Sequence, residues 1–182
     1  MASIIKANEL QDFGGNSILT SDGSGTVTIN SAQMKATPAF EAYASAYQSG
    51  VSDAVWTKIN INTEVYDTDS TYDTSNYRFT PTVAGKYYVY VIAGCVSDTT
   101  YKLNVANVAI YKNGSIYRYT NITVNGADRL NEATTTATAT IDMNGSSDYL
   151  EAYARVNVTT GTGSIDARET NGGFGAYRII GA

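Results

Sequence analysis

The segment that most constrains the fold is residues 85–96, GKYYVYVIAGCV, which is apolar or aromatic on both of its faces. Successive residues of a strand point to opposite sides of a sheet, so Tyr88 and Tyr90 would face away from the side on which Val89 packs. A strand with one buried face alternates apolar and polar residues instead. The segment therefore predicts a sheet that is packed on one face and covered by something further on the other.

The composition favours an all-β domain. Thr, Tyr, Val, Ala, Gly and Asn dominate the 182 residues, and the only prolines are Pro38 and Pro81. β-Branched and aromatic residues are enriched in strands, and short strand candidates bounded by Gly, Asn and Asp recur along the chain. No segment keeps a helical period over three turns. We expect about eight to ten short strands in one sandwich or jelly roll.

Charge and hydropathy exclude several classes of partner. The net charge of −5 argues against nucleic acid, because phosphate binding needs a basic face. No apolar run is long enough to span a membrane. The chain does not begin with basic residues followed by an apolar stretch, so we expect no signal peptide.

Cys95 lies alone inside the most apolar strand, which predicts a buried, unreactive thiol.

The chain divides into an arm, residues 1–37, and a head, residues 38–182. The arm has too few apolar residues for a core, and SILTSDGSGTVTIN within it predicts a hairpin that turns at Asp22-Gly23. A lone hairpin is marginal in water, so we expect the arm to lie on a partner. The expected anchoring residues are Ile4, Ile5, Leu10, Phe13, Ile18, Val27 and Ile29.

Alternation in the head predicts which residues face the core. Thr alternates with Ala137, Ala139 and Ile141, which would face inward. In DYLEAYARVNV the inward set is Leu150, Ala152, Ala154, Val156 and Val158, and the outward set is Tyr149, Glu151, Tyr153 and Arg155. We expect Phe40, Trp56, Phe79 and Phe174 in the core, and Glu41, Glu64 and Glu151 at solvated outward positions.

Fifteen tyrosines are more than one small core can hold with every hydroxyl satisfied. Tyrosine is enriched at protein interfaces, which favours a self-association surface. The alternative is that tyrosine fills strand surfaces simply because of its high β propensity. On the first interpretation a closed homotrimer covers the second face, and the expected interface residues are Tyr88, Tyr90, Tyr149 and Tyr153.

Five motifs in the head, in the correct order, resemble the globular head of complement component 1q, a domain of the tumour necrosis factor superfamily. They are PAFEAYAS, YDTSNYRFTPTVAGKYYVYV, VAIYKNGSIY, DYLEAYARV and GGFGAYRI. The resemblance implies a two-sheet, ten-stranded jelly roll that forms a compact homotrimer with aromatic residues near its axis. The chain differs from the animal members in having neither a Gly-X-Y collagen stalk nor a signal peptide, which puts secretion in doubt.

The arm resembles the opening of structural proteins of tailed bacteriophages, through KANELQ and SDGSGTVT. Together the two resemblances imply a virion protein, assembled in the host cytoplasm. Our first hypothesis is a trimeric capsid decoration, or cement, protein whose arms bind the major capsid protein or another virion protein. The alternatives are a tail-fibre tip that binds a host surface glycan, and a non-viral adhesive module.

The sequence offers little catalytic chemistry. It contains no histidine and a single cysteine, which removes Ser-His-Asp catalysis and cysteine zinc clusters. Asp67, Asp69 and Asp73 have the spacing of a calcium loop, but the glycine at its sixth position and the glutamate at its twelfth are missing, so we expect a solvated turn. We expect no enzyme activity, no cofactor and no metal.

Overall fold

The computed structural model describes residues 7–31, 34–124 and 129–180, and these ranges form β-strands without an α-helix. No helix long and apolar enough to cross a membrane occurs within them. The strands are β1 (Glu9–Gln11), β2 (Ser17–Ser21), β3 (Val27–Ile29), β4 (Ala39–Tyr43), β5 (Gln48–Val51), β6 (Trp56–Lys58), β7 (Thr63–Asp67), β8 (Tyr72–Asp73), β9 (Arg78–Phe79), β10 (Gly85–Ser97), β11 (Leu103–Lys112), β12 (Ser115–Thr123), β13 (Glu132–Met143), β14 (Leu150–Val158), β15 (Gly163–Asp166) and β16 (Gly173–Arg178).

The arm forms a three-stranded antiparallel sheet in the order β1-β2-β3. The predicted hairpin is confirmed as β2–β3, and the sequence analysis missed β1 as a third strand. The turn is held by Asp22, whose carboxylate accepts hydrogen bonds from the backbone N–H groups of Ser24 and Thr26 at 2.8 and 3.1 Å. Such Asx turns are the reason that aspartate favours this position.

The head is a sandwich of two antiparallel sheets, as the sequence predicts. One sheet has seven strands, in the order β5-β15-β10-β16-β4-β7 with β13 on the other side of β10. The other has six strands, in the order β12-β11-β14-β9-β8 with β6 also paired to β14. The described head thus has thirteen strands, and several of the additional ones have only two to four residues. The count of ten is not confirmed.

A hairpin that turns at Asn113-Gly114 joins β11 to β12. Both residues have positive φ, 52° and 78°, which a two-residue turn between twisted strands requires. Among the described strands β12 pairs with β11 alone, so it is an edge strand of the six-stranded sheet. Side chains of β12 and β13 meet at the side of the sandwich, where the Tyr117 hydroxyl donates to the Thr140 carbonyl at 3.3 Å.

The predicted core alternation is confirmed on both long strands. Ala137 and Ile141 of β13, and Leu150 and Ala154 of β14, are fully buried between the sheets. The remaining inward residues predicted on these strands, Ala139, Ala152, Val156 and Val158, are also buried. The core therefore forms where each sheet turns its aliphatic face toward the other.

Three of the four predicted core aromatics, Phe40, Phe79 and Phe174, are completely buried. The prediction for Trp56 is wrong: it is only half-buried and lies on the outer surface of the six-stranded sheet. A lone tryptophan suggested a core anchor, but β6 is a three-residue strand that presents Trp56 to Tyr111 and Tyr119 of the outer face. Its apolar area is covered there by other aromatic rings.

Cys95 is completely buried, as the sequence predicts. Burial raises the pKa of its thiol to about 12, because the thiolate would lose its hydration in this apolar setting. We expect the folded protein not to react with a disulfide reagent such as Ellman's reagent at mildly alkaline pH, and the denatured chain to react fully. Rapid reaction of the native protein would contradict this burial.

Candidate functional site

The outward face of the seven-stranded sheet is the candidate functional site. It is rich in tyrosines, and we call it the tyrosine face. It is defined by Glu41, Tyr43, Tyr66, Tyr88, Tyr90, Ile92 and Tyr177, contributed by β4, β7, β10 and β16. Tyr66 and Tyr177 expose 44% and 45% of their surface. The outward residues of β10, Tyr88, Tyr90 and Ile92, are half-buried, so the second face of this strand is partly open to solvent in the single chain.

Tyr90 is held in a fixed position at the middle of the tyrosine face. Its ring lies directly over Gly175 of β16, so that any side chain at position 175 would overlap the ring. Burial raises the pKa of Tyr90, and the negative charge of Glu41 raises it further. The hydroxyl consequently remains protonated beside the Glu41 carboxylate.

A second pair of rings extends the tyrosine face along β10. Tyr88 and Tyr177 are direct neighbours across β10 and β16, with ring centroids 5.4 Å apart and planes inclined by 35°. Tyr66 lies opposite Glu41 in the β4–β7 pair, so it borders Tyr90 from the other side. The aromatic surface is therefore continuous across four strands. The sequence analysis named only its β10 members.

A cleft of 410 Å³ lies at one end of the tyrosine face. Glu41, Tyr90 and Ile92 form one side of it, and the loop that contains Glu169 and Asn171 forms the other. This volume lies within the range of sites that bind small ligands or single inserted side chains. Its lining combines an aromatic ring, an aliphatic side chain and two carboxylates.

The loop beside the cleft is fixed by a hydrogen-bond network. The Asn171 amide donates to Glu132 at 2.6 Å and to Asp166 at 3.1 Å. Asp166 is almost completely buried and receives the Arg168 guanidinium at 2.9 and 3.0 Å. These hydrogen bonds from Arg168 hold the pKa of Asp166 at about 2. The cleft wall is thus rigid and retains a surplus of negative charge.

Tyr149 and Tyr153, the other two predicted interface residues, lie on the outer side of the six-stranded sheet. Tyr153 belongs to β14 and stacks on Tyr111 with 3.9 Å between ring centroids. The structure therefore divides the four predicted tyrosines between the two opposite outer faces of the sandwich. Tyr88 and Tyr90 belong to one continuous surface, and Tyr149 and Tyr153 to another.

The outer face of the six-stranded sheet carries a small aromatic cluster. Tyr119 and Tyr153 flank Ala109 on the adjacent strands, and the alanine is completely buried although it points away from the core. The Trp56 indole packs edge-on against Tyr111 and Tyr119, with centroids 6.2 and 6.0 Å apart. The rings therefore bury one another. Some of the tyrosines that the core cannot hold thus serve packing within the chain and not an interface.

The prediction that Glu151 is solvated is wrong. Its side chain is almost completely buried on this outer face and is bound by the Lys58 ammonium at 2.6 Å and the Arg78 guanidinium at 2.8 Å. The Arg78 guanidinium in turn lies 3.8 Å from the centre of the Tyr149 ring. Two cations thus replace the water that an exposed carboxylate would have, and the aromatic ring covers one of these cations.

The arm presents one apolar face. Leu10, Leu19 and Ile29 are aligned across its three strands, and Val27 lies two residues from Ile29 on the same side. A shallow cleft of 170 Å³ lies among Leu10, Leu19 and Val27. The sequence analysis missed Leu19, the central residue of this row. Alternation within SILTS places Leu19 and Ile18 on opposite faces, but the choice between them needs the register with β1.

The other predicted arm anchors are distributed differently. Phe13 lies in the turn after β1 and is fully exposed. Ile18 is half-buried on the face opposite to Leu19. Ile4 and Ile5 lie outside the described residues. The described arm therefore has its strongest apolar surface at Leu10, Leu19, Val27 and Ile29.

The acidic loop around β8 uses its carboxylates to hold its own backbone. Asp67 accepts from the Tyr72 N–H at 2.8 Å, and Asp73 accepts from the backbone N–H groups of Ser75 and Asn76 at 2.8 and 3.1 Å. Within the described ranges, no group of three or more His, Cys, Asp or Glu side chains is placed to hold a metal ion. The loop geometry is that of a hydrogen-bonded turn.

Comparison with known proteins bears on the fold. No protein-family model and no curated protein matches the chain. Among solved structures, the crystal structure of murine APRIL at pH 5.0 matches with a TM-score of 0.55 and 10% sequence identity. The match covers 78% of this chain and 98% of that one. APRIL is a jelly roll of the tumour necrosis factor family, so the likeness shows that this chain contains a jelly roll of that type.

Proposed function

We propose that the protein is a non-enzymatic, homotrimeric decoration protein of a bacteriophage capsid, bound to the shell through its arms. The proposal is carried by one observation: the head and the arm each have an apolar surface that no other described part of the chain covers. The tyrosine face lies on the head, and the row through Leu10, Leu19 and Ile29 lies on the arm. The virion setting rests on the resemblance of residues 1–37 to phage structural proteins.

The tyrosine face supports the trimeric part of the proposal. An apolar aromatic surface that spans four strands is unusual on a monomer and is typical of an interface. Identical copies related by a three-fold axis would cover it in every subunit at once. The tumour necrosis factor type of jelly roll is compatible with this assembly.

The arm supports the anchoring part of the proposal. A three-stranded sheet of this size has no core of its own, and the exposed fractions of Leu10 and Val27 are 53% and 57%. Its apolar face would lie on a shell protein, and its short edge strands would add to a neighbouring sheet by β-augmentation. Three arms in one trimer would act together, so weak individual contacts give tight overall attachment.

The proposal is tested by immunogold labelling of purified phage particles with an antibody to residues 38–182. We expect gold spread over the heads. Gold confined to the tail tip would contradict decoration and favour the fibre function. No gold on any particle would contradict a virion protein and leave the adhesive module.

Substitution of Leu19 by aspartate is expected to abolish attachment to the capsid. The carboxylate would lie at the centre of the apolar row, where burial against the shell leaves it without water or a partner. Occupancy is measured by co-sedimentation of added protein with particles that lack it. Thr28→Asp is the matched control, because it adds the same charge to the opposite face of the arm. Equal binding of Leu19→Asp and wild type would contradict anchoring by this face.

The fibre-tip alternative is favoured by one observation, the aromatic cluster on the six-stranded sheet. Tyr119 is 54% exposed beside Trp56, and the exposed side chain of Asn121, which accepts a hydrogen bond from the buried Asn107 amide at 2.7 Å, continues the same surface. Exposed rings beside amides suit a glycan, which presents both apolar and hydroxyl surfaces. The labelling experiment above separates this function from decoration by its position on the particle.

A further inference from the structure

We infer that the outer face of the six-stranded sheet binds a saccharide that carries a carboxylate, with Arg155 holding the carboxylate and Trp56 supporting the sugar ring. The inference goes beyond capsid decoration and does not depend on where the protein lies on a particle. This face lies on the opposite side of the sandwich from the tyrosine face. Its centre therefore stays accessible when other copies of the chain cover the tyrosine face.

A row of side chains crosses the outer face, one from each of four neighbouring strands. Trp56 of β6 pairs with Arg155 of β14. Arg155 pairs in turn with Asn107 of β11, which pairs with Asn121 of β12. Direct cross-strand partners on one face have Cβ atoms about 4.5–5.5 Å apart. An aromatic ring, a guanidinium and two amides therefore lie side by side.

The Arg155 guanidinium has donors left for a ligand. Its Nε donates to the Ala54 carbonyl at 2.9 Å, which fixes the side chain in place. Its two Nη groups form no ion pair or hydrogen bond with any residue that the structure describes. Asp53 precedes Ala54 in the same loop, but its carboxylate accepts from the Asn157 amide and the Val158 N–H at 2.9 and 2.8 Å. A ligand carboxylate suits the free Nη groups, because it accepts two parallel hydrogen bonds from a guanidinium.

Two other cations of this face are already compensated within the chain. The Lys58 ammonium and the Arg78 guanidinium both bind the buried Glu151 carboxylate, at 2.6 and 2.8 Å. Lys58 also donates to the Asn76 carbonyl at 2.9 Å. Of these three cations, Arg155 is the one left to neutralise a charge on a ligand. A single guanidinium balances the single charge of a carboxylate.

The Trp56 indole offers an apolar surface for a sugar ring. It is half-buried, and its plane is inclined by 66° to the Tyr111 ring and by 74° to the Tyr119 ring, so neither tyrosine lies flat against it. A pyranose presents C–H groups on one face, and these pack on an aromatic ring whose face carries partial negative charge. In a hexuronic acid the carboxylate is bonded directly to the sugar ring. One such sugar therefore matches the close spacing of Trp56 and Arg155.

Asn107 adds an acceptor that the described chain leaves unsatisfied. Its side chain is almost completely buried, and its amide donates to the Asn121 Oδ1 at 2.7 Å and to the Thr120 carbonyl at 3.2 Å. Its own Oδ1 accepts no hydrogen bond within the described ranges. A flipped amide would lose both donated bonds, so the orphan atom is the oxygen. Because Asn107 adjoins Arg155 in the row, a hydroxyl of a bound sugar would supply the missing donor through a bridging water.

The test compares binding of the full chain to immobilised polygalacturonate and to its methyl ester, in which the same sugars are neutral. We expect the acid to bind at least about tenfold more tightly, because the ester cannot accept two charge-assisted hydrogen bonds. Arg155→Gln and Trp56→Ala are each expected to weaken binding to the acid by at least about tenfold. Lys35→Gln removes the same charge from an exposed position ahead of β4, and it is the control expected to bind like wild type.

Tryptophan fluorescence locates the binding, because Trp56 is the only tryptophan in the chain. We expect trigalacturonate to change the emission of the wild type until the site is saturated. Arg155→Gln should need a concentration at least about tenfold higher for the same change. Arg155→Lys keeps the charge without the planar fork of donors, so it should lie between the two. Far-UV circular dichroism shows that each variant is folded.

Equal binding of the acid and its ester, or of Arg155→Gln and the wild type, would overturn the inference. So would a failure to bind polygalacturonate, alginate and polysialic acid, whose carboxylates are borne by different sugars. Binding that leaves the Trp56 emission unchanged would place the saccharide elsewhere on the chain and overturn it too. The proposed decoration is decided separately by the gold labelling. Labelled heads without saccharide binding contradict only this inference, and saccharide binding without labelled particles contradicts only decoration.

Discussion

Replacement of Tyr90 by aspartate is expected to convert the trimer into a monomer, seen as a threefold fall in mass by light scattering. The ring of Tyr90 lies over Gly175 in the middle of the tyrosine face, where a covering copy would exclude water. Aspartate would place a second carboxylate beside Glu41 with no described cation nearby. Desolvation of such a charge costs several kcal/mol, so the dissociation constant should rise by more than about a thousandfold.

The control for this prediction is Tyr101→Asp. Tyr101 is 61% exposed and precedes β11, away from the tyrosine face, so the same change there should leave the mass of the assembly unaltered. Circular dichroism and the thermal midpoint establish that both variants are folded. An intact trimer of Tyr90→Asp would refute the assignment of this face to self-association. Loss of trimer in both variants would show that added negative charge alone is responsible.

Much of the fold follows from side-chain alternation in the sequence. The pattern of β13 identifies Ala137 and Ile141 as inward, and that of β14 identifies Leu150 and Ala154, because an alternating strand has one buried face. The two-sided pattern of β10 likewise predicts a second aromatic face, which lies outside the core between the sheets. What alternation cannot show is which sheet a strand joins. Tyr90 and Tyr153 both point outward, yet they lie on opposite sides of the sandwich.

Burial by distant residues is the other limit of sequence reasoning. Glu151 has the outward position that alternation predicts, but it is bound by Arg78, which lies 73 residues away in the chain. Trp56 belongs to a strand of only three residues, and Tyr111 and Tyr119 cover it from a hairpin far along the chain. These contacts depend on strand pairing across the whole head, which short patterns do not encode.

Register explains the remaining difference in the arm. The sequence analysis identified Ile18 as an anchor, whereas Leu19 is aligned with Leu10 and Ile29 in the sheet. A shift of one residue exchanges the two faces of a strand, so the choice depends on strand β1, which was not predicted. Once β1 is known, its Leu10 selects Leu19 as the apolar neighbour. The candidate anchoring surface is thus a property of three strands together.

Phe40→Ala is expected to produce the largest loss of stability in the head. The Phe40 ring is completely buried and stacks on Phe79 and Tyr72 at 4.4 and 4.6 Å, with Phe174 edge-on at 4.9 Å. Truncation removes these contacts and leaves a cavity between the sheets. The free energy of unfolding should fall by about 3–5 kcal/mol, which corresponds to a thermal midpoint lower by roughly 10 °C.

The matched control is Phe13→Ala, which removes the same atoms from the fully exposed turn of the arm and should leave the midpoint unchanged. Denaturant and thermal unfolding are compared at one protein concentration, because dissociation of an oligomer makes the midpoint depend on concentration. A loss below about 1 kcal/mol for Phe40→Ala would mean that the neighbouring rings close the cavity. The aromatic stack would then not be the element that holds β4 between the two sheets. A large loss would instead show that this aromatic packing holds β4, which carries Glu41 on its opposite side, in place in the sheet.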